Sequence, residues 1–149
     1  MYEHILVSSD GSDLAQAGVD HGLKLAKVHG SKVTAVTVTE PLGGQFAFAS
    51  DLWSPSQDEI AAYDKTQAAI AKRILEQIRR TAEAAGVSIE TVHVPWRLPA
   101  SALVEIAEQR GCSLIVMSSH GRTGLAQVML GSQTARTVST SKVPVLVVT

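Results

Sequence analysis

"HILVSSDGSDLAQAGVDHGLKLAKVHG", residues 4–30, carries a strand, a turn and a helix in that order, and its reading decides the fold. The run "HILVSS" (4–9) is short, apolar and β-branched, and "DGSD" closes it as a turn, which predicts a buried strand. Ser12 then stands where a helix cap belongs. In the helix that follows, Ala15, Gly18, Val19, Gly22 and Ala26 recur at spacings of three and four. This stripe of small side chains lets a helix backbone sit close on a sheet. Gly30 ends the helix.

Working outward, "SKVTAVTVTEP" (31–41) alternates as a second strand that stops at Pro41. Residues 42–56, "LGGQFAFASDLWSPS", are long for a connection and hold Phe46, Phe48 and Trp53; they form either a lid or a cover over one end of the fold. A long helix follows, with Tyr63, Ile70, Ile74, Ile78 and Ala82 as its stripe and Gly86 at its end. The strand "VSIETVHV" (87–94) stops before Pro95. Pro99 suits the first turn of a helix with Leu103, Ile106 and Ala107 facing inward. "CSLIVMSS" (112–119) is the fourth strand, "SQTARTVSTS" (132–141) a short last helix, and "VPVLVV" (143–148) the fifth strand. Strands and helices alternate, and the strands are near-continuous apolar runs of the kind that helices cover on both faces. The expectation is one α/β domain over residues 1–149, a doubly wound five-stranded parallel sheet.

Composition narrows the function. The 149 residues are 45% hydrophobic and 18% charged with a net charge of -1, so there is no basic footprint for nucleic acid or an acidic membrane. No apolar run reaches the roughly 20 residues of a membrane span, and "MYEHILVSSD" lacks the features of a signal peptide, so the chain reads as cytoplasmic. The single cysteine, Cys112, reads as a small buried residue leading into a strand. His4, His21, His29 and His93 have no partners at ligand or triad spacing. Motifs for P-loop hydrolysis, dinucleotide redox chemistry, elbow-type esterases, zinc proteases and dithiol redox are absent.

In open parallel sheets ligands bind beyond the carboxyl ends of the strands, where the strand order reverses. With strand one beside strand four, "SSDGSD" (8–13) and "SSHGRTGLAQVMLGSQT" (118–134) face one crevice. Glycines at 121, 124 and 131 can take positive φ, which lets backbone N–H groups close around an anion. Ser132 and Thr134 stand at the start of the last helix, where unpaired N–H groups and the helix dipole favour phosphate oxygens without any lysine. Asp10 reads either as a turn residue or as a ligand contact, and His120 as a loop histidine or a phosphate neighbour.

The residues "ILVSSDGSD", "VTVTEP" and "IVMSSHGRTGLAQVMLGSQTARTV" with "VPVLVV" resemble the universal stress protein family over nearly the whole chain. The ATP-binding branch of that family has the pattern G-x-x-G, nine residues, G-[ST]. Gly121, the nine-residue gap, Gly131 and Ser132 match it, while Ser118 stands at the first glycine.

The resemblance implies a Rossmann-like, adenine nucleotide alpha hydrolase-like sheet of order 3-2-1-4-5, with ATP, accompanied by Mg²⁺, as ligand. Asp10 is implied near ribose or phosphate with Ser9 beside it. Val38 is implied in the adenine pocket and Met117 and Ser118 along base and ribose. Gly121, Gly131, Ser132, Gln133 and Thr134 are implied at the phosphates. It also implies a homodimer through the edge strand Val143 to Val148, which agrees with the hazard of an uncovered apolar edge. The expected role is a nucleotide-binding stress-response and signalling protein. A slow ATP hydrolase or phosphotransferase using Asp10 with His120 or Ser132 is one rival. A nucleotide-free dimeric interaction module that uses the aromatic loop is the other.

Overall fold

The computed structural model describes residues 1–44, 54–121 and 130–149. β1 (His4–Ser8), α1 (Asp13–His29), β2 (Lys32–Thr39), α2 (Gln57–Ala84), β3 (Ile89–Pro95), α3 (Pro99–Arg110), β4 (Leu114–Ser118), α4 (Ser132–Thr140) and β5 (Val145–Val148) follow one another in the expected alternation. The five strands form one sheet in the order β3-β2-β1-β4-β5. All neighbours run parallel: Val7 lies opposite Ala35 on one side and Val116 on the other, and Met117 lies opposite Val147. Helices α1 and α2 pack on one face around Ile5, Val7, Val19, Leu23, Leu75 and Ile78. α3 packs on the other around Leu6, Val36, Leu103 and Ile115. The central strands β1 and β4 are therefore buried on both faces, whereas β3 and β5 at the edges are mostly half-buried.

Local chemistry sets the boundaries. Ser12 Oγ accepts a hydrogen bond from the Ala15 N–H at 3.2 Å and starts α1, and Gly30 ends it in the left-handed region at φ 67°. The reason for the small-residue stripe is close approach. A Cβ on Gly18 would lie 3.4 Å from Ser118 N, and one on Gly22 would lie 2.4 Å from Val7 Cγ1. α2 starts with a reciprocal cap that the sequence reading did not use: Glu59 N–H donates to Ser56 Oγ, and Ser56 N–H donates to Glu59 Oε2 at 2.7 Å. β3 includes Pro95, opposite Thr39, rather than stopping before it. An edge strand tolerates a proline because half of its donors face no partner.

The expected inward stripe of α2 divides in two. Ile78 and Ala82 join Ala71 and Leu75 in the core, while Tyr63, Ile70 and Ile74 are only half-buried. The latter line the cleft, and Ile74 also packs against the core. Of the aromatic loop, residues 45–53, including Phe46, Phe48 and Trp53, lie outside the described residues, so the choice between lid and cover does too.

At the opposite end of the sheet His4 is buried. Nε2 lies 2.7 Å from Thr34 Oγ1, Nδ1 lies 3.0 Å from the Arg110 carbonyl, and Thr34 donates to Glu90 Oε1 at 2.8 Å. This histidine is structural. Cys112 is buried nearby, and burial pushes its thiol up to about 11, which leaves it an inert packing residue.

Two predictions follow from these contacts. Gly22→Ala forces a methyl into Val7 and should cost about 1–3 kcal/mol of stability by chemical denaturation, with the fold retained. Burial, aided by Lys32, holds His4 below its ordinary 6.5, and burial holds His93 down as well. An unfolded imidazole therefore takes up a proton at a higher pH than the folded one, and acid favours the unfolded chain. Stability should be constant above about pH 6.5 as far as these groups are concerned and fall as pH drops below it. His4→Gln should make that fall shallower, as read from denaturation midpoints at pH 7 and 5.5.

Candidate functional site

Strand order reverses between β1 and β4, and a cleft of about 650 Å³ opens beyond their carboxyl ends. It is lined by the ten residues that the resemblance implies as nucleotide contacts: Ser9, Asp10, Val38, Met117, Ser118, Gly121, Gly131, Ser132, Gln133 and Thr134. His120 lines it as well, half-buried, with Nδ1 3.2 Å from Ser119 Oγ.

The turn after β1 is built by its own side chains. Ser9 Oγ accepts from the Gly11 N–H at 3.1 Å and Asp10 Oδ1 from the Ser12 N–H at 2.9 Å, with Gly11 at φ 83°. Asp10 is thus a turn residue, and its other oxygen still reaches across the crevice. A Cβ on Gly121 would meet Asp10 Oδ2 at 2.8 Å. The two loops touch there.

The end of β2 supplies backbone. Pairing of β1 with β2 runs to Ser8 opposite Val36, and the Ser9 N–H donates to the Val36 carbonyl at 3.0 Å. Backbone groups alternate sides along a strand, so those of Val38 face the side that β1 has just left. A donor and an acceptor two bonds apart are thereby turned toward the cleft.

The end of β4 is tied to the start of α4. Thr134 Oγ1 donates to the Ser118 carbonyl at 3.0 Å, the Gly131 N–H to the Ser119 carbonyl at 2.9 Å, and Ser118 Oγ to the His120 carbonyl at 2.7 Å. Ser118 sits in β4, paired with Val148, so the serine in place of a glycine meets no φ penalty. Its hydroxyl fastens the turn. Gly131 has φ -55°, outside the left-handed region, so it does not use the positive φ that a glycine can take: its Cβ would come within 3.1 Å of the Ser119 carbonyl, and space is the constraint. Gly124 lies outside the described residues.

α4 begins at Ser132 without a side-chain cap, and its first internal bond runs from the Ala135 N–H to the Gly131 carbonyl at 2.9 Å. The N–H groups of Ser132, Gln133 and Thr134 thus have no partner inside the helix and stand at the cleft. Gln133 acts elsewhere with its side chain: Oε1 accepts from the Ala100 N–H at 3.0 Å, capping the first turn of α3, whose own N-cap Leu98 has no acceptor. Of the ten residues, Gln133 and Thr134 are hence cleft residues by backbone.

What the sequence reading missed is the wall from α2. Tyr63, Gln67, Ile70 and Ile74 line the cleft at spacings of four, three and four, and Tyr63 Oη donates to the Glu40 carbonyl at 2.8 Å. Burial and the carboxylates of Glu40 and Asp64 push the Tyr63 phenol up, so it stays a donor. The signal was present as a second stripe one residue away from the core stripe. Among the described lining residues the charged side chains are Asp10 and Glu40, with no lysine or arginine. An anion bound here relies on N–H groups and the α4 dipole. No group of three or more His, Cys, Asp or Glu gathers as a metal site among the described residues. A phosphate-bound Mg²⁺ needs only one or two carboxylates with water, and Asp10 fits that demand.

Fold and cleft together define a doubly wound α/β domain with a crevice at its switch point, where the uncapped start of α4 faces the turn after β1. The chain belongs to the universal stress protein family, whose description matches residues 1–149. It is 31% identical over 151 residues to universal stress protein YxiE of Bacillus subtilis, covering 99% of each chain. Among solved structures, MJ0577 of Methanocaldococcus jannaschii superposes with a TM-score of 0.82 at 28% identity, covering 99% of this chain and 96% of that one. A universal stress protein solved in complex with cAMP gives 0.71 at 28% identity, covering 99% and 97%. Among the described residues no helix is long and apolar enough to cross a membrane.

Proposed function

We propose that this protein binds ATP with Mg²⁺ in the switch-point cleft and acts in the cytoplasm as a nucleotide-responsive stress-signalling homodimer. The observation that carries the reading is the uncapped start of α4, held by Gly131 against β4 and facing Asp10 within one cleft. Phosphates take the N–H groups of residues 132–134, Asp10 takes the metal, and the backbone of Val38 faces the base. The family relative that was solved with cAMP supports an adenine nucleotide as the ligand class. Catalysis has less support, since no described lysine or arginine lines the cleft to stabilise a transferring phosphoryl group.

Calorimetric titration with ATP and Mg²⁺ should show saturable binding near one nucleotide per chain. Gly131→Ala should weaken it by about tenfold, because the added methyl pushes against the Ser119 carbonyl and shifts the start of α4. Absence of binding at millimolar ATP would overturn the reading.

The dimer has its own support. β5 is an edge strand whose four residues are half-buried, and Val138 on the adjoining helix is 46% exposed. Val147→Glu should turn the dimer into a folded monomer in sedimentation velocity.

A further inference from the structure

We propose that Gln67 selects adenine at this site, pairing its side-chain amide with the exocyclic amine and N7 of the base. The inference rests on the nucleotide-binding reading of the same cleft and adds to it the residue that reads the base.

Three observations lead there. First, most polar side chains in the cleft are already committed to the fold: Ser118 to the His120 carbonyl, Thr134 to the Ser118 carbonyl and Tyr63 to the Glu40 carbonyl. Of the two side-chain amides that line the cleft among the described residues, Gln133 caps α3. The Gln67 side chain makes no hydrogen bond with any described residue, and the residue is half-buried. Second, its position is fixed by a helix. α2 turns Tyr63, Gln67, Ile70 and Ile74 along one stripe into the cleft, so helical spacing sets the amide beside two half-buried isoleucines. An apolar wall with one convergent polar group is what a planar heterocycle fits. Third, the charges separate the ends of the ligand. The start of α4 attracts phosphate, while α2 and the end of β2 offer apolar and neutral groups with the Glu40 carboxylate, which repels phosphate. The base therefore lies toward α2.

A carboxamide offers one donor group and one acceptor side by side. Adenine presents the complementary pair, the N6 amine and N7, whereas guanine presents two acceptors, O6 and N7. Gln67 thus accepts from N6 and donates to N7 of adenine, and it confronts the guanine O6 with its own oxygen.

The test compares ATP, 7-deaza-ATP and GTP on the wild type and Gln67→Leu, by calorimetry, with thermal melting of both proteins as a control for folding. Leucine removes the amide, is one bond shorter and keeps the helix propensity, so the melting temperature should not fall. In the wild type, replacing N7 by a C–H should weaken binding by about three- to tenfold. Gln67→Leu should weaken ATP by about tenfold, reduce the preference for ATP over GTP by a similar factor, and bind ATP and 7-deaza-ATP equally. That last equality ties the effect to the one hydrogen bond, and a merely structural role for Gln67 does not produce it. A wild type that binds ATP but is indifferent to the loss of N7, or a Gln67→Leu protein that still distinguishes the two ligands, overturns the inference and leaves nucleotide binding standing. A wild type that binds no adenine nucleotide overturns both.

Discussion

The approach of α1 to the two central strands sets the geometry on which the cleft depends. Gly22 lies against Val7 with no room for a methyl group, and Gly18 lies against the backbone of Met117 and Ser118. At that separation the first turn of α1 stands beside the end of β4, which brings Asp10 within reach of Gly121. Side chains at 18 and 22 would push the helix out and open the crevice. A glycine in the middle of a helix lowers its intrinsic propensity and costs about 1 kcal/mol relative to alanine. Burial of Val19, Leu23 and Ala26 against Ile5, Val7 and Val116 offsets that loss.

The same economy appears in the cleft walls. A site formed where strands end must satisfy the groups that the ladders no longer pair. Here side chains do so: Ser9 and Asp10 for the turn after β1, Thr134 and Ser118 for the turn after β4, Gln133 for the start of α3. Each of these residues resembles a ligand contact in the sequence, and each has its polar side-chain atom engaged in holding the backbone. Beside the Asp10 carboxylate, what faces the cleft is main chain, at Val38 and at residues 132–134. N–H groups at a helix start attract an anion without a cationic side chain, so a net charge of -1 is compatible with the proposed phosphate site.

Much of this was legible in the sequence. Apolar runs at 4–8 and 114–118 read as strands that helices cover on both faces, which their burial bears out, whereas the strand order that makes them central was implied by the family resemblance. The glycine and hydroxyl spacing at 121–134 marked the cleft because tight approach leaves few residue types possible. The reason for glycine at 131 was not legible, since φ and free space both exclude a side chain and only coordinates separate them. The α2 wall was hidden for a different reason. Residues 63, 67, 70 and 74 share one helical stripe, while 71, 75, 78 and 82 share the next, and isoleucines occur in both. Hydrophobic periodicity finds the direction of an apolar face and is blind to whether that face meets a sheet or a cavity.

That distinction bears on how occupancy could be felt by the rest of the molecule. α2 runs for 28 residues, about 42 Å, while a strand of eight residues spans about 26 Å, so its first half overhangs the sheet. All of its fully buried residues, Ala71, Leu75, Ile78 and Ala82, lie in the second half. The first half is held by the Tyr63 bond to the Glu40 carbonyl and by the Trp96 indole, which donates to Asp64 Oδ1 at 2.7 Å from a backbone at φ 59°. A non-glycine residue in that region costs about 1–3 kcal/mol, so the second tie is made at the expense of strain. Ordering a helix segment without a core behind it depends on whatever else packs against it. A ligand in the cleft packs against this half through Gln67 and Ile70, and by linkage it stabilises the arrangement in which those contacts exist. The overhang is then the part of the fold whose order is coupled to occupancy, because it is the part that the hydrophobic core does not reach.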